Sequence, residues 1–260
     1  MDLQLKHKIV LVTGGAKGIG AAIVQAVAAE GGIAVIVDRD AEAGNKLREE
    51  LSAQGKACRM IEADLIAAEG CANTIEQTLH EFSGLDVLVN NAGINDKVGL
   101  ERGSPVDFEA SLQRNLSHFY NLAHFALHAL KKSRGSILNI ASKVAVTGQG
   151  GTSGYAAAKG AILALTREWA VELLPYGIRV NAILPAEVMT PLYQQWLSTF
   201  KDPAAKLREV QAKIPLGKRM TRPEEIAAMA LFVMSSQASH ITGQHIFVDG
   251  GYTHLDRALT

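Results

Sequence analysis

Tyr155 and Lys159 stand four positions apart, so on a helix their phenol and ammonium project from one face. A free phenol titrates near about 10, and a close cation favours its ionised form. Tyr155 is therefore a candidate general base or acid working closer to neutrality. Ser142, upstream, carries a hydroxyl suited to holding a substrate oxygen while that proton moves.

Such a pair needs a scaffold, and the N-terminus supplies the start of one. Lys8 to Thr13 reads as a buried strand running into Gly14-Gly15-Ala16-Lys17-Gly18-Ile19-Gly20, and an apolar helix follows over Ala21 to Ala29. Gly14 permits a tight turn. Gly18 and Gly20 let backbone amides at the helix start approach a pyrophosphate, which the positive end of the helix dipole attracts. A second strand, Ile33 to Asp38, ends in a carboxylate about 20 residues past the last glycine, where an acid meets an adenosine ribose. That carboxylate accepts hydrogen bonds from ribose hydroxyls and repels the extra phosphate of NADP, so NAD is the expected cofactor. Lys17 and Arg39 pull the other way, as cations able to meet a 2′-phosphate.

Over essentially its whole length the chain resembles the short-chain dehydrogenase/reductase family. Thr13-Gly14-x-x-x-Gly18-x-Gly20, Asn90-Asn91-Ala92-Gly93, Ser142, Tyr155-x-x-x-Lys159 and Asp249-Gly250-Gly251 carry the likeness, all in order. The resemblance implies a catalytic tetrad of Asn115, Ser142, Tyr155 and Lys159, with Asn115 inside a helix over Phe108 to Lys131 and tied to a proton relay through water. In that relay Lys159 lowers the Tyr155 pKa and binds the nicotinamide ribose. The likeness further implies that Gly14, Lys17, Gly18, Ile19, Gly20, Asp38, Arg39, Asp64 and Leu65 surround the cofactor. Asp64 would meet the adenine amine, Asn90 pack near the adenosine, and Val188 and Thr190 contact the carboxamide. A homotetramer, paired partly through the segment bearing His124 and His128, is implied as well.

One departure is visible. Many family members have Pro-Gly after the sixth strand, whereas this chain has Pro185-Ala186-Glu187-Val188-Met189-Thr190-Pro191, and Ala186 does not reach positive φ as cheaply as glycine. Through Leu192-Tyr193 that segment is also similar to sugar 1-dehydrogenases acting on L-fucose and related sugars, which implies oxidation of an anomeric hydroxyl to a lactone. Candidate substrate contacts are Asn95, Asp96, Lys143, Gln149, Glu187, Tyr193 and Trp196. Their polarity suits a polyhydroxylated molecule better than a steroid or acyl chain. Two rivals stand beside this reading: an NADPH-dependent ketoreductase of the 3-oxoacyl-carrier-protein type, against which Asp38 argues, and a non-catalytic NAD-binding module, against which the tetrad argues.

Alternation of strand-length apolar runs with longer helical patterns predicts a single α/β domain over residues 1–260. It would be a Rossmann fold: a doubly wound, mostly parallel seven-stranded sheet with helices on both faces. The expected strands are Lys8–Thr13, Ile33–Asp38, Ala57–Ala63, Asp86–Asn90, Gly135–Ala141, Ile178–Leu184 and His245–Asp249. Helices are expected over Ala41–Gln54, Ala68–Phe82, Tyr155–Leu174 and Pro223–Ser235. The interval Pro185–Arg222, punctuated by Pro191, Pro203 and Pro215, breaks the rhythm and is a candidate substrate lid. With 26 basic and 26 acidic side chains and no basic stripe, the chain offers no long-range attraction to nucleic acid. Its opening residues are too polar for a signal peptide, no apolar run reaches membrane-spanning length, and Cys58 and Cys71 fit a reducing compartment, so a cytoplasmic location is expected. No catalytic metal is expected.

Overall fold

The computed structural model describes residues 1–255; the last five positions of the expected domain, 256–260, lie outside the described residues. Seven strands form one sheet: β1 (Ile9–Thr13), β2 (Ile33–Asp38), β3 (Cys58–Glu62), β4 (Val87–Asn90), β5 (Ser136–Ile140), β6 (Arg179–Pro185) and β7 (His245–Val248). Their order is β3-β2-β1-β4-β5-β6-β7, and every neighbouring pair is parallel. A parallel sheet needs cover on both faces, which is why these strands are nearly continuous apolar runs. Alternate residues supply two cores. Val10, Val12 and Ile36 pack beneath α1 (Gly18–Ala29), α2 (Ala41–Ala53) and α9 (Pro223–Met234). Leu11, Val35 and Leu88 face α3 (Ala68–Phe82), α5 (His118–Ser133) and α6 (Ser153–Glu172). The chain winds outward from β1 in one direction and from β4 in the other, so a crevice opens at the carboxyl ends of these strands.

Most strands and helices lie within a residue of the expected bounds, and the larger departures are helical. The stretch Phe108 to Lys131 is not one helix: α4 (Pro105–Leu112) begins under a Ser104/Asp107 capping box, a π-helical turn spans Gln113–Ser117, and α5 follows. Such turns insert an extra residue into a helix and re-aim a side chain, here Asn115. Helix α6 starts two residues early, at Ser153, and stops before Pro175, around which a short 3₁₀ turn forms. Within the candidate lid lie α7 (Pro191–Leu197) and α8 (Pro203–Ala212), each with proline in its first turn and an N-cap side chain, Thr190 or Asp202, accepting a backbone N–H. Ala186 is not among the residues at positive φ, so the missing glycine leaves no strain at that position. No helix of the described residues is long and apolar enough to cross a membrane.

Candidate active site

The glycine-rich turn is packed too tightly for other residues. A Cβ on Gly20 would lie 2.1 Å from the Gly14 carbonyl oxygen, and Gly14 itself sits at φ +60° against Ala92 and Asn91. Asn91 braces the turn, donating through Nδ2 to the carbonyls of Thr13 at 2.8 Å and Gly14 at 3.2 Å, while the Thr13 hydroxyl accepts from the Asn91 and Ala92 amides. Beside it opens a cavity of about 220 Å³ lined by Gly14, Asp38, Arg39, Asp64, Leu65 and His118, among others. Asp38 is fixed there by backbone amides, its two oxygens accepting from Ala16 and Asp40, both at 3.1 Å. These residues fit a dinucleotide: bare backbone for the phosphates and an anchored carboxylate for the ribose. The chemistry such a cofactor supplies is two-electron exchange at its nicotinamide ring.

Several expected cofactor contacts are placed differently. Lys17 is spent on Asp40, its ammonium 2.5 Å from the carboxylate, so of the two cations only Arg39 lines the cavity. The Asn90 side chain is fully buried and donates to Asn139 at 3.1 Å within the sheet. Gly18 and Ile19 form the first turn of α1, with Thr190 packed against Gly18. Val188 is buried, its backbone bridged to Thr221, and lines neither cavity.

A larger cavity of about 930 Å³ meets the first at Ile94, which lines both. Ser142 and Tyr155 form part of its wall, and their hydroxyls are hydrogen-bonded. Lys159 is buried behind them, donating to the Ile140 carbonyl at 2.8 Å, with its ammonium 5.6 Å from the centre of the Tyr155 ring. Asn115 is fully buried in its π turn; Oδ1 accepts from the Ile94 amide at 2.7 Å and Nδ2 donates to the Ser111 carbonyl at 3.1 Å. Asn115 thus joins the loop shared by the two cavities to α4. The tetrad's four members are brought together, yet the expected electrostatics are not. Burial pushes the Tyr155 phenol up to about 12, with the Ser142 hydrogen bond opposing it, and burial pulls Lys159 down to about 7. Desolvation within the chain outweighs the help that a lysine at helical spacing was expected to give Tyr155.

Of the expected substrate contacts, Asn95, Lys143, Gln149, Glu187, Tyr193 and Trp196 line the larger cavity. Asp96 does not: it is turned to Arg114 at 2.7 Å and Ser111 at 3.0 Å. Glu187 does not point to solvent but forms an ion pair with Lys143 and takes a hydrogen bond from Tyr193 of α7. Tyr193 and Trp196 meet edge to face at 5.0 Å. Sequence reasoning missed Tyr252, which lines the same cavity beneath the Lys143 ammonium, 4.0 Å from its ring centre. Asp249 holds the turn that carries it, accepting from the Gly251 and Thr253 amides at 2.8 and 2.9 Å. The Asp249-Gly250-Gly251 motif was the available signal. His118 was also missed; it is buried, has no partner at Nδ1, and is lowered to about 4 by burial and by Lys159.

Comparison with known proteins agrees with this geometry. Residues 14–253 match a family model described as enoyl-(acyl carrier protein) reductase. The chain is 40% identical over 245 residues to the L-fucose dehydrogenase of Oryctolagus cuniculus, covering 94% of this chain and 84% of that one. It is 33% identical over 250 residues to the 3-oxoacyl-[acyl-carrier-protein] reductase of Thermotoga maritima, covering 96% and 99%. Among solved structures, that of the Cj0485 dehydrogenase superposes with a TM-score of 0.95 at 46% identity, covering 100% of this chain and 99% of that one.

Proposed function

The chain belongs to the short-chain dehydrogenase/reductase family and is an oxidoreductase using a nicotinamide cofactor, and we propose that it oxidises a neutral sugar at C1 with NAD, L-fucose being the best specific substrate. The observation that carries the reading is a cluster of polar side chains beside the catalytic hydroxyls, in a cavity whose remaining lining includes Ile94, Val144, Leu192 and Val210. Beside Ser142 and Tyr155 it presents Lys143, Glu187, Gln149 and Asn95, an arrangement of donors and acceptors suited to a molecule rich in hydroxyls. An acyl chain would offer these groups no hydrogen bonds, leaving Lys143 and Glu187 only each other and the Tyr193 hydroxyl. The greater identity to an L-fucose dehydrogenase than to an acyl-carrier-protein reductase supports the same choice. Asp38 at the ribose position, and the engagement of Lys17 by Asp40, support NAD over NADP.

The roles we assign rest on the family resemblance, and the geometry supports them. Ser142 holds the reacting hydroxyl, and Tyr155 takes its proton. Lys159, near neutrality in its own titration, holds a ribose hydroxyl and returns the proton toward solvent along the path that Asn115 positions. When bound, the oxidised nicotinamide supplies the two-electron acceptor and a positive charge that favours the phenolate. A homotetramer in the cytoplasm belongs to this proposal on family resemblance; the exposed Tyr120 and Phe125 rings of α5 support a subunit contact there. A panel of sugars, polyols and hydroxysteroids offered with NAD and with NADP tests the reading by absorbance of the reduced cofactor. L-Fucose, L-galactose or D-arabinose with NAD should be the best pairing. Brisk turnover of a hydrophobic secondary alcohol with none of these sugars would overturn it.

A further inference from the structure

Lys143 directly follows Ser142, opens a short 3₁₀ turn, and is only 8% exposed. An ammonium this far from water needs a counter-charge, and Glu187 provides it from the loop after β6. The two side chains are 10% and 14% exposed, and both line the cavity that contains Tyr155. Tyr193 donates to the same carboxylate, and the Tyr252 ring lies under the ammonium. One cation and one anion therefore cancel directly beside Ser142; the other charged groups of the cavity, Lys97 and the Lys206–Glu209–Lys213 cluster at α8, come from other segments.

This pairing discriminates by charge. Adjacent hydroxyls of a neutral sugar satisfy both partners, donating to Glu187 and accepting from Lys143. A substrate carboxylate reaching Lys143 also meets the Glu187 carboxylate paired to it, a like-charge contact in a largely buried site. Resting on the sugar reading above, we propose that Lys143 is an anion-binding residue masked by Glu187, and that the masking restricts the site to neutral sugars and excludes their uronic acids. Removing the mask converts a sugar site into one that takes acidic sugars.

The test uses the enzyme bound to the reduced cofactor, which cannot accept a hydride from the sugar, so binding is read without turnover. L-Galacturonate, the uronic acid with the ring configuration of L-fucose, and L-fucose are titrated into wild type, Glu187→Gln, Lys143→Gln and the double variant, following tryptophan fluorescence, to which Trp196 in the same cavity contributes. Unchanged NAD affinity in each variant checks the fold, and Glu187→Ala repeats the unmasking with a second side chain. Glu187→Gln should tighten galacturonate at least about tenfold, and adding Lys143→Gln should abolish the gain. Galacturonate affinity unchanged by both Glu187 substitutions, or a gain that survives loss of Lys143, overturns the proposal. L-Fucose failing to bind wild type would instead count against the sugar reading, while the galacturonate comparison would still decide the masking.

Discussion

Replacing Lys159 with methionine should stabilise the cofactor-free protein at acid pH while destroying its activity. Lys159 is 2% exposed, and burial lowers it from an ordinary 10.5 to about 7. At about 1.4 kcal/mol per pH unit this sets a ceiling near ~5 kcal/mol on what the buried ammonium costs the fold. Local relaxation and the Ile140 hydrogen bond leave about 2–4 kcal/mol. The sign follows from proton counting. Below pH 7 folded and unfolded chains both carry the proton, and the penalty is complete. Between about 7 and about 10.4 the unfolded chain binds one proton more, so stability rises with pH; above that window the penalty is gone. Methionine keeps the length without the charge. Urea unfolding of both cofactor-free proteins at pH 6, 8 and 9.5 should show Lys159→Met ahead by about 2–4 kcal/mol at pH 6, with the gap closing toward pH 10. The thiols of Cys58 and Cys71, raised to about 11, and Tyr155, raised to about 12, weaken both proteins alike in alkali and cancel in the difference. A gap that does not change with pH, or a methionine variant less stable at pH 6, refutes the account of a strongly desolvated lysine.

Tyr155→Phe should lower turnover at least ~10²-fold while leaving folding and NAD affinity nearly intact, because only the proton acceptor is removed; near wild-type turnover in the purified variant contradicts the assignment. Asp38→Ala should weaken NAD and relax discrimination against NADP, since it removes the anchored carboxylate and leaves Arg39 lining the pocket. Steady-state kinetics with both cofactors decide this, and a wild type more efficient with NADP would reverse the reading of the ribose site.

The scaffold was legible because buried parallel strands and glycine punctuation leave strong local signals. Ile33–Asp38 coincides with β2, and Ala68–Phe82 with α3. The glycine turn was legible for the same reason: Gly20 is demanded by the Gly14 carbonyl, 2.1 Å from where its Cβ would lie, and Gly14 by its positive φ of +60°. What was not legible depends on partners distant in sequence. Asp96 looked available until Ser111 of α4 and Arg114 of the π turn claimed it. Lys17 looked like a phosphate ligand until Asp40 paired with it. Asn90 and Asn91 are adjacent, yet only the sheet's pleat decides that the first faces Asn139 and the second braces the turn. Helical spacing placed Tyr155 near Lys159 correctly but said nothing of burial, and burial governs how both titrate.

The most direct test of the central claim is to supply L-fucose deuterated at C1 together with NAD and follow the label by mass. The account predicts that deuterium leaves C1 for the reduced cofactor, that the sugar is recovered as its lactone or aldonate, and that Tyr155→Phe suppresses both. Unlabelled reduced cofactor, or no lactone or aldonate from a protein that turns over a hydrophobic secondary alcohol, would contradict it.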